Sequence, residues 1–182
     1  MDILAHTLWT NAGARAVNKR IARKGGTTRL SVGWTAFWGV VPDFFAFTIP
    51  FVISLYYVIF RGVSFSAMRG HHALTDGFDI AAFLYQYSHS VVIWAGVFLV
   101  VWFFAKRPRY ELVGWLLHIL IDVPSHSINF YPTPFLFPLS EYRFPYGISW
   151  SNPWFMIINY TALAFVWIRI ALRKVRPGAS KA

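Results

Sequence analysis

His118, Asp122 and His126 stand at successive four-residue intervals in the stretch His118-Ile-Leu-Ile-Asp122-Val-Pro-Ser-His126. On a helix, residues four apart share a face one turn apart, so His118 and Asp122 can meet on one cation, and His126 extends that face if the helix survives Pro124. The surrounding sequence is apolar enough for a membrane. Ionisable groups there cost about 2.5–3.5 kcal/mol each on insertion scales, so they persist mainly where they do something. Three more polar groups stand in apolar surroundings: His6, Asp43 directly after Pro42, and His89 between Ser88 and Ser90. Imidazoles and carboxylates suit a divalent metal, zinc first and iron or manganese as alternatives, and two carboxylates can bridge two metals. Cysteine is absent, which excludes thiolate ligands and disulfides.

Each residue also has a plainer reading. His6 can be a polar group at the wet edge of an interfacial helix. Asp43 can cap a half-helix by accepting the amide protons of Phe45 or Ala46, because Pro-Asp is a helix-start pattern. His89 can hydrogen-bond a neighbouring helix. His71 and His72, near Asp76 and Asp79, read as solvated loop residues. Arg143 reads either as a contact for a substrate phosphate or as a rim charge on a lipid phosphate.

These groups need elements to position them, and composition says which kind. Of 182 residues, 57% are apolar, 20% aromatic and only 13% charged, against about 25% charged in an ordinary soluble domain. The fold class expected is an all-α polytopic membrane protein with about four transmembrane helices, at about 36–60, 80–105, 110–130 and 154–172. The apolar run that holds the first, Leu30 to Phe60, is too long for one straight span and should break at Pro42 or Pro50. The third has a purely apolar part of only Leu112 to Ile121, so it spans only if the polar cluster goes in with it. Residues 1–24 read as an amphipathic interfacial helix ended by Gly25-Gly26. Residues 129–153 carry five prolines among many aromatics, which forbids a helix and suits a cap at the headgroup boundary. Residues 1–174 form one domain and 175–182 a disordered basic tail. The N-terminus lacks the pattern of a removable signal peptide.

The net charge is +10. Fourteen of the seventeen Lys and Arg residues fall before residue 36, between 106 and 109, or in the tail, and three in the other connections. With four spans, the positive-inside rule puts both termini in the cytoplasm. The charge reads as topology and attraction to anionic lipids rather than nucleic-acid binding, for which no motif is present.

The order His6, Pro42-Asp43, His89-Ser90, His118-Ile-Leu-Ile-Asp122 and then Pro134-Phe-Leu-Phe-Pro138-Leu-Ser140-Glu-Tyr-Arg143-Phe144 resembles the YdjM-like family of membrane-bound metal-dependent hydrolases of the bacterial inner membrane. The likeness covers roughly residues 1–172. It implies a polytopic helical protein with a metal-centred hydrolytic site, and His6, Asp43, His89, His118 and Asp122 are the positions that match the family's polar motifs. The His-Asp pattern followed by Pro and His is also similar to the zinc phospholipase C and P1 nuclease group, which cleaves phosphate esters. In one place the chain departs from the YdjM-like pattern: where the family carries a His-Arg pair before His-Ser, Leu84 and Tyr85 stand here. Either His126 or the His71-His72 pair substitutes, or the site is reduced.

The function expected is hydrolysis of a phosphate ester of a lipid or amphiphilic substrate. His89, His118, Asp122 and Asp43 hold one or two cations, His126 serves as general acid or second-metal ligand, and Arg143 contacts phosphate. The alternative is a non-enzymatic accessory, scaffold or ion pathway whose polar cluster organises helix packing.

Overall fold

A computed structural model describes the backbone of residues 1–64 and 72–175 and the side chains of 1–64 and 77–172. Among these residues the regular structure is entirely helical. α1 (Ile3–Arg23) starts at Asp2, whose carboxylate accepts the amide proton of Ala5, and ends before Gly25 at φ 73°. α2 (Val32–Trp38) starts at Ser31, α3 spans Val41–Phe60, and α4 (His72–Ser88) is followed by α5 (Val91–Ala105). A 3-10 turn at Tyr110–Leu112 leads into α6 (Val113–Ser125), and α7 (Pro153–Val175) closes the chain.

Three expectations about spans are corrected. The break in the first stretch falls at Gly39-Val40, between α2 and α3, and not at either proline. Pro42 sits in the first turn of α3, where its fixed φ fits and its missing N–H is no loss. Pro50 lies buried inside α3, packed closely against Gly77 of α4, and the helix runs through it. The stretch 80–105 is not one straight helix: α4 and α5 meet at a 62° bend. No Pro or Gly marks that bend. Ser90 takes an extended conformation and its hydroxyl accepts the amide protons of Val92 and Ile93 at 3.1 and 3.2 Å, which restarts the helix on a new axis.

The third correction concerns α6, which has 13 residues. At 1.5 Å per residue that is about 20 Å, short of a hydrocarbon core of about 30 Å. Among the described residues two helices, Val41–Phe60 and Pro153–Leu172, are long and apolar enough to cross a membrane, or three if the bent α4–α5 pair is one span, rather than the four expected. These elements turn apolar faces outward: Phe51 and Phe60 on α3, Phe103 and Phe104 on α5, and Trp154, Ile158 and Phe165 on α7 are all more than 60% exposed. α6 is instead the central element, with Gly114, Trp115, His118, Ile119 and Asp122 buried. On one side Leu112, Trp115 and Ile119 pack against Trp94, Phe98 and Trp38; on the other, Ile121 joins Ala5, Trp9 and Leu163.

Residues 126–152 form the non-helical cap expected from the prolines. It closes the end of α6, because Ile148 N donates to Pro124 O at 2.9 Å and Trp150 N to Ser125 O at 2.8 Å, using carbonyls that a helix end leaves unpaired. The expected disordered tail falls almost wholly on 176–182, outside the described residues, as do His71 and the side chains of His72 and Asp76.

α2 approaches α6 very closely. A Cβ at Gly114 would lie 1.9 Å from the carbonyl oxygen of Thr35, which is backbone and cannot swing aside. Gly114→Val should therefore cost at least the roughly 1–3 kcal/mol of core overpacking and lower the melting temperature in detergent. Gly96→Ala, with open space at its Cβ, should melt like the parent protein; equal melting of both variants would mean that α2 does not sit on α6 this closely.

Candidate metal centre

Four ligand atoms converge from three elements: Asp43 from the first turn of α3, His89 from the α4–α5 bend, and His118 and Asp122 from consecutive turns of α6. All lie within 4.8 Å of one another. His118 Nε2 is 3.1 Å and His89 Nε2 3.4 Å from Asp122 Oδ2, and the two Nε2 atoms are 3.0 Å apart. Asp43 Oδ1 stands 3.5 Å from His89 Nε2 and 3.6 Å from His118 Nε2. These are ligand-to-ligand edges of the right size: a tetrahedron with bonds of about 2.0–2.1 Å has edges of about 3.3–3.4 Å. His89, His118 and Asp122 are fully buried, and the Asp43 side chain is 13% exposed.

The outer ring nitrogens are held in place. His118 Nδ1 lies 2.7 Å from Gly39 O, a pure acceptor, so Nδ1 carries the proton and a neutral ring points a lone pair inward at Nε2. His126 Nδ1 does the same with Tyr131 O at 2.9 Å. His89 Nδ1 meets the hydroxyl of Ser88 at 2.9 Å, and the Tyr85 ring stacks on His89 with centroids 3.6 Å apart. Among the described residues Asp122 Oδ2 accepts no hydrogen bond, although two imidazole nitrogens lie close to it. A carboxylate oxygen facing inward lone pairs is an arrangement that a cation relieves, and this buried Asp/His/His/Asp cluster could hold a metal ion.

The Oδ1 side of the same carboxylate is also crowded. His6 Nε2 is 3.0 Å away and His126 Nε2 3.5 Å, and the α-amino nitrogen of Met1 donates to Oδ1 while lying 3.0 Å from His126 Nε2. The His6 ring stacks on His118, centroids 3.7 Å apart, so α1 docks on the bundle and His6 is no wet-edge residue. Burial, with the neighbouring His118, pushes the His6 imidazole down to about 4, so it is neutral at physiological pH.

His6, Asp43, His89, His118, Asp122 and His126 are thus brought together, and Arg143 is not. Its guanidinium donates to the carbonyls of Glu141 and Tyr142 in its own loop. The capping reading of Asp43 is corrected, since α3 has no side-chain cap and the carboxylate turns to the imidazoles. Asp79 is exposed. Nothing in the residue pattern marked Tyr85 as buried or as a support for His89; its hydroxyl donates to Tyr131 O at 3.2 Å. The roles of Gly39 O and Tyr131 O were equally invisible, because a carbonyl has no side-chain signature.

Elemental analysis of detergent-purified protein should find at least one zinc, iron or manganese per chain, reduced by about one ion per chain in His118→Ala and Asp43→Ala, and about 10- to 100-fold weaker binding is expected for Ser88→Ala. The same trace content in parent and variants would leave the cluster as packing. Comparison with protein-family models, with curated proteins and with solved structures finds no match to this chain.

Proposed function

We propose that this protein is an integral membrane metal-dependent hydrolase that cleaves a phosphate ester of a lipid or amphiphile, in the manner of the YdjM-like family that its His and Asp motifs resemble. The observation that carries this reading is that the buried centre adjoins an apolar chamber. The chamber has a volume of about 820 Å³, is walled by Phe44, Phe47, Phe51, Phe130 and Trp150, and has Asp43 and His126 on its lining. Its size falls in the range of roughly 300–1,000 Å³ usual for small-molecule sites, and its wall suits hydrocarbon rather than a nucleotide.

A divalent cation, zinc by preference for this donor set, would polarise a phosphoryl oxygen and bring the pKa of a water toward about 7. The chain's own part is to hold Asp43, His89, His118 and Asp122 in fixed rotamers, exclude bulk water, and seat the hydrocarbon so that the ester reaches the centre. In mixed micelles of long-chain phospholipid, phosphorus NMR should detect ester cleavage by the metal-loaded protein, with His118→Ala reduced by at least about 100-fold. Phe47→Ala should impair long-chain substrate more than a soluble aryl phosphodiester. Absence of turnover on both substrates by fully loaded protein would favour the accessory or scaffold reading.

The same proposal places the protein in the bacterial inner membrane with both termini cytoplasmic. Ser31 N donates to Glu111 Oε1 at 3.2 Å, Asn18 bonds Leu30, and Arg15, Arg20 and Arg23 of α1 share a groove with Arg169 of α7. Three basic segments therefore gather at one end, as attraction to an anionic inner leaflet favours. Topology reporters fused after Gly62 and after the last residue should report opposite sides, the latter cytoplasmic. A same-side result would put an odd number of crossings before the tail and overturn this orientation.

A further inference from the structure

We propose a second divalent-cation site on the Oδ1 face of Asp122, held by His6, His126 and that oxygen, so that the Asp122 carboxylate bridges two metals. This deepens the reading above and rests on its first cation, held on the Oδ2 face. The two oxygens have separate nitrogen sets: Oδ2 faces His89 and His118, whereas Oδ1 faces His6 Nε2 at 3.0 Å and His126 Nε2 at 3.5 Å.

His6 supplies an independent sign of a ligand. Its side chain is fully buried, and neither ring nitrogen makes a hydrogen bond among the described residues. An orphaned buried polar group costs about 1–3 kcal/mol, and a metal bond at Nε2 removes one orphan. His126 is preset for the same duty, since Tyr131 O fixes the proton on Nδ1 and leaves the Nε2 lone pair facing Asp122. The stack of His6 on His118 puts one ring from each set side by side. That suits metals about 3.5–4 Å apart under one bridging carboxylate.

This site is also the one nearer the substrate. Met1 and His126 line the apolar chamber, whereas His89 and His118 do not. A cation on the Oδ1 face would meet the ester first, with Asp43 reaching the chamber from the Oδ2 set, and His126 becomes a ligand rather than a general acid. Imidazole with carboxylate selects zinc, manganese or iron over calcium or magnesium.

Manganese alone serves as the probe. Full-length protein in detergent, dialysed against Mn(II), should retain two ions per chain and give the multiline low-temperature paramagnetic-resonance signal of a spin-coupled pair. His126→Gln and His6→Ala should each drop to one ion with an uncoupled six-line signal. His126 lies at the helix end beside the chamber, so its variant tests the site if His6→Ala melts early. One ion per chain in the parent, unchanged in His126→Gln, overturns the second site while leaving the first intact; the ammonium of Met1 would then suffice for Oδ1. No bound ion in the parent overturns both.

Discussion

The carboxylate of Asp122 is fully buried with imidazoles on both oxygens, and the rest of the molecule is arranged around keeping it there. An isolated anion removed from water costs several kcal/mol even after relaxation, and among the described residues no Lys or Arg pairs with this one. The α-amino nitrogen of Met1 and the hydroxyl of Ser125 donate to Oδ1, and the imidazoles of His6, His89, His118 and His126 crowd both oxygens in an arrangement that a cation would complete. Two of these imidazoles, His6 and His89, and the amine come from segments far from Asp122 in sequence, so α1 and the α4–α5 bend must both be in register with α6 before the centre is assembled. The polar centre thereby fixes the way the helices meet, which an apolar core alone leaves loosely specified.

Backbone groups do much of the aligning. Gly39 O orients His118 and Tyr131 O orients His126, while the glycines at 39, 114 and 147 let chain segments approach too closely for any side chain. A Cβ at Gly147 would lie 1.9 Å from His126 O, so the cap can seat on the end of α6 only with hydrogen at that position. The cap then both pairs the α6 carbonyls and walls the chamber. Tyr85 adds an aromatic support behind His89.

Outside this centre the physics is reversed. α3, α5 and α7 expose apolar side chains that water would reject and lipid would accept, while basic residues collect at one end of the bundle. A short α6 is consistent with this division. Surrounded by α1, α2 and α5 rather than by lipid, it need not match the bilayer thickness, and its length is set by the distance between the Ser31–Glu111 contact and the cap.

By itself the sequence determined the helical class, the apolar elements, the end of α1, the proline-rich cap and the residues able to bind metal, because periodicity, composition and side-chain chemistry are local properties. The four-residue spacing of His118, Asp122 and His126 was legible for the same reason. Tertiary structure decided the rest. Whether Asp43 caps its helix or faces an imidazole, whether His6 is wet or stacked, and that Arg143 turns to its own loop all depend on how α1, α3 and the cap pack. The bend at His89-Ser90 was hidden because a serine cap is common in helices that do not break. The allocation of one nitrogen pair to each oxygen of Asp122 was hidden because it is a relation between four separate elements, set by packing at ångström scale that no pattern of residue types encodes.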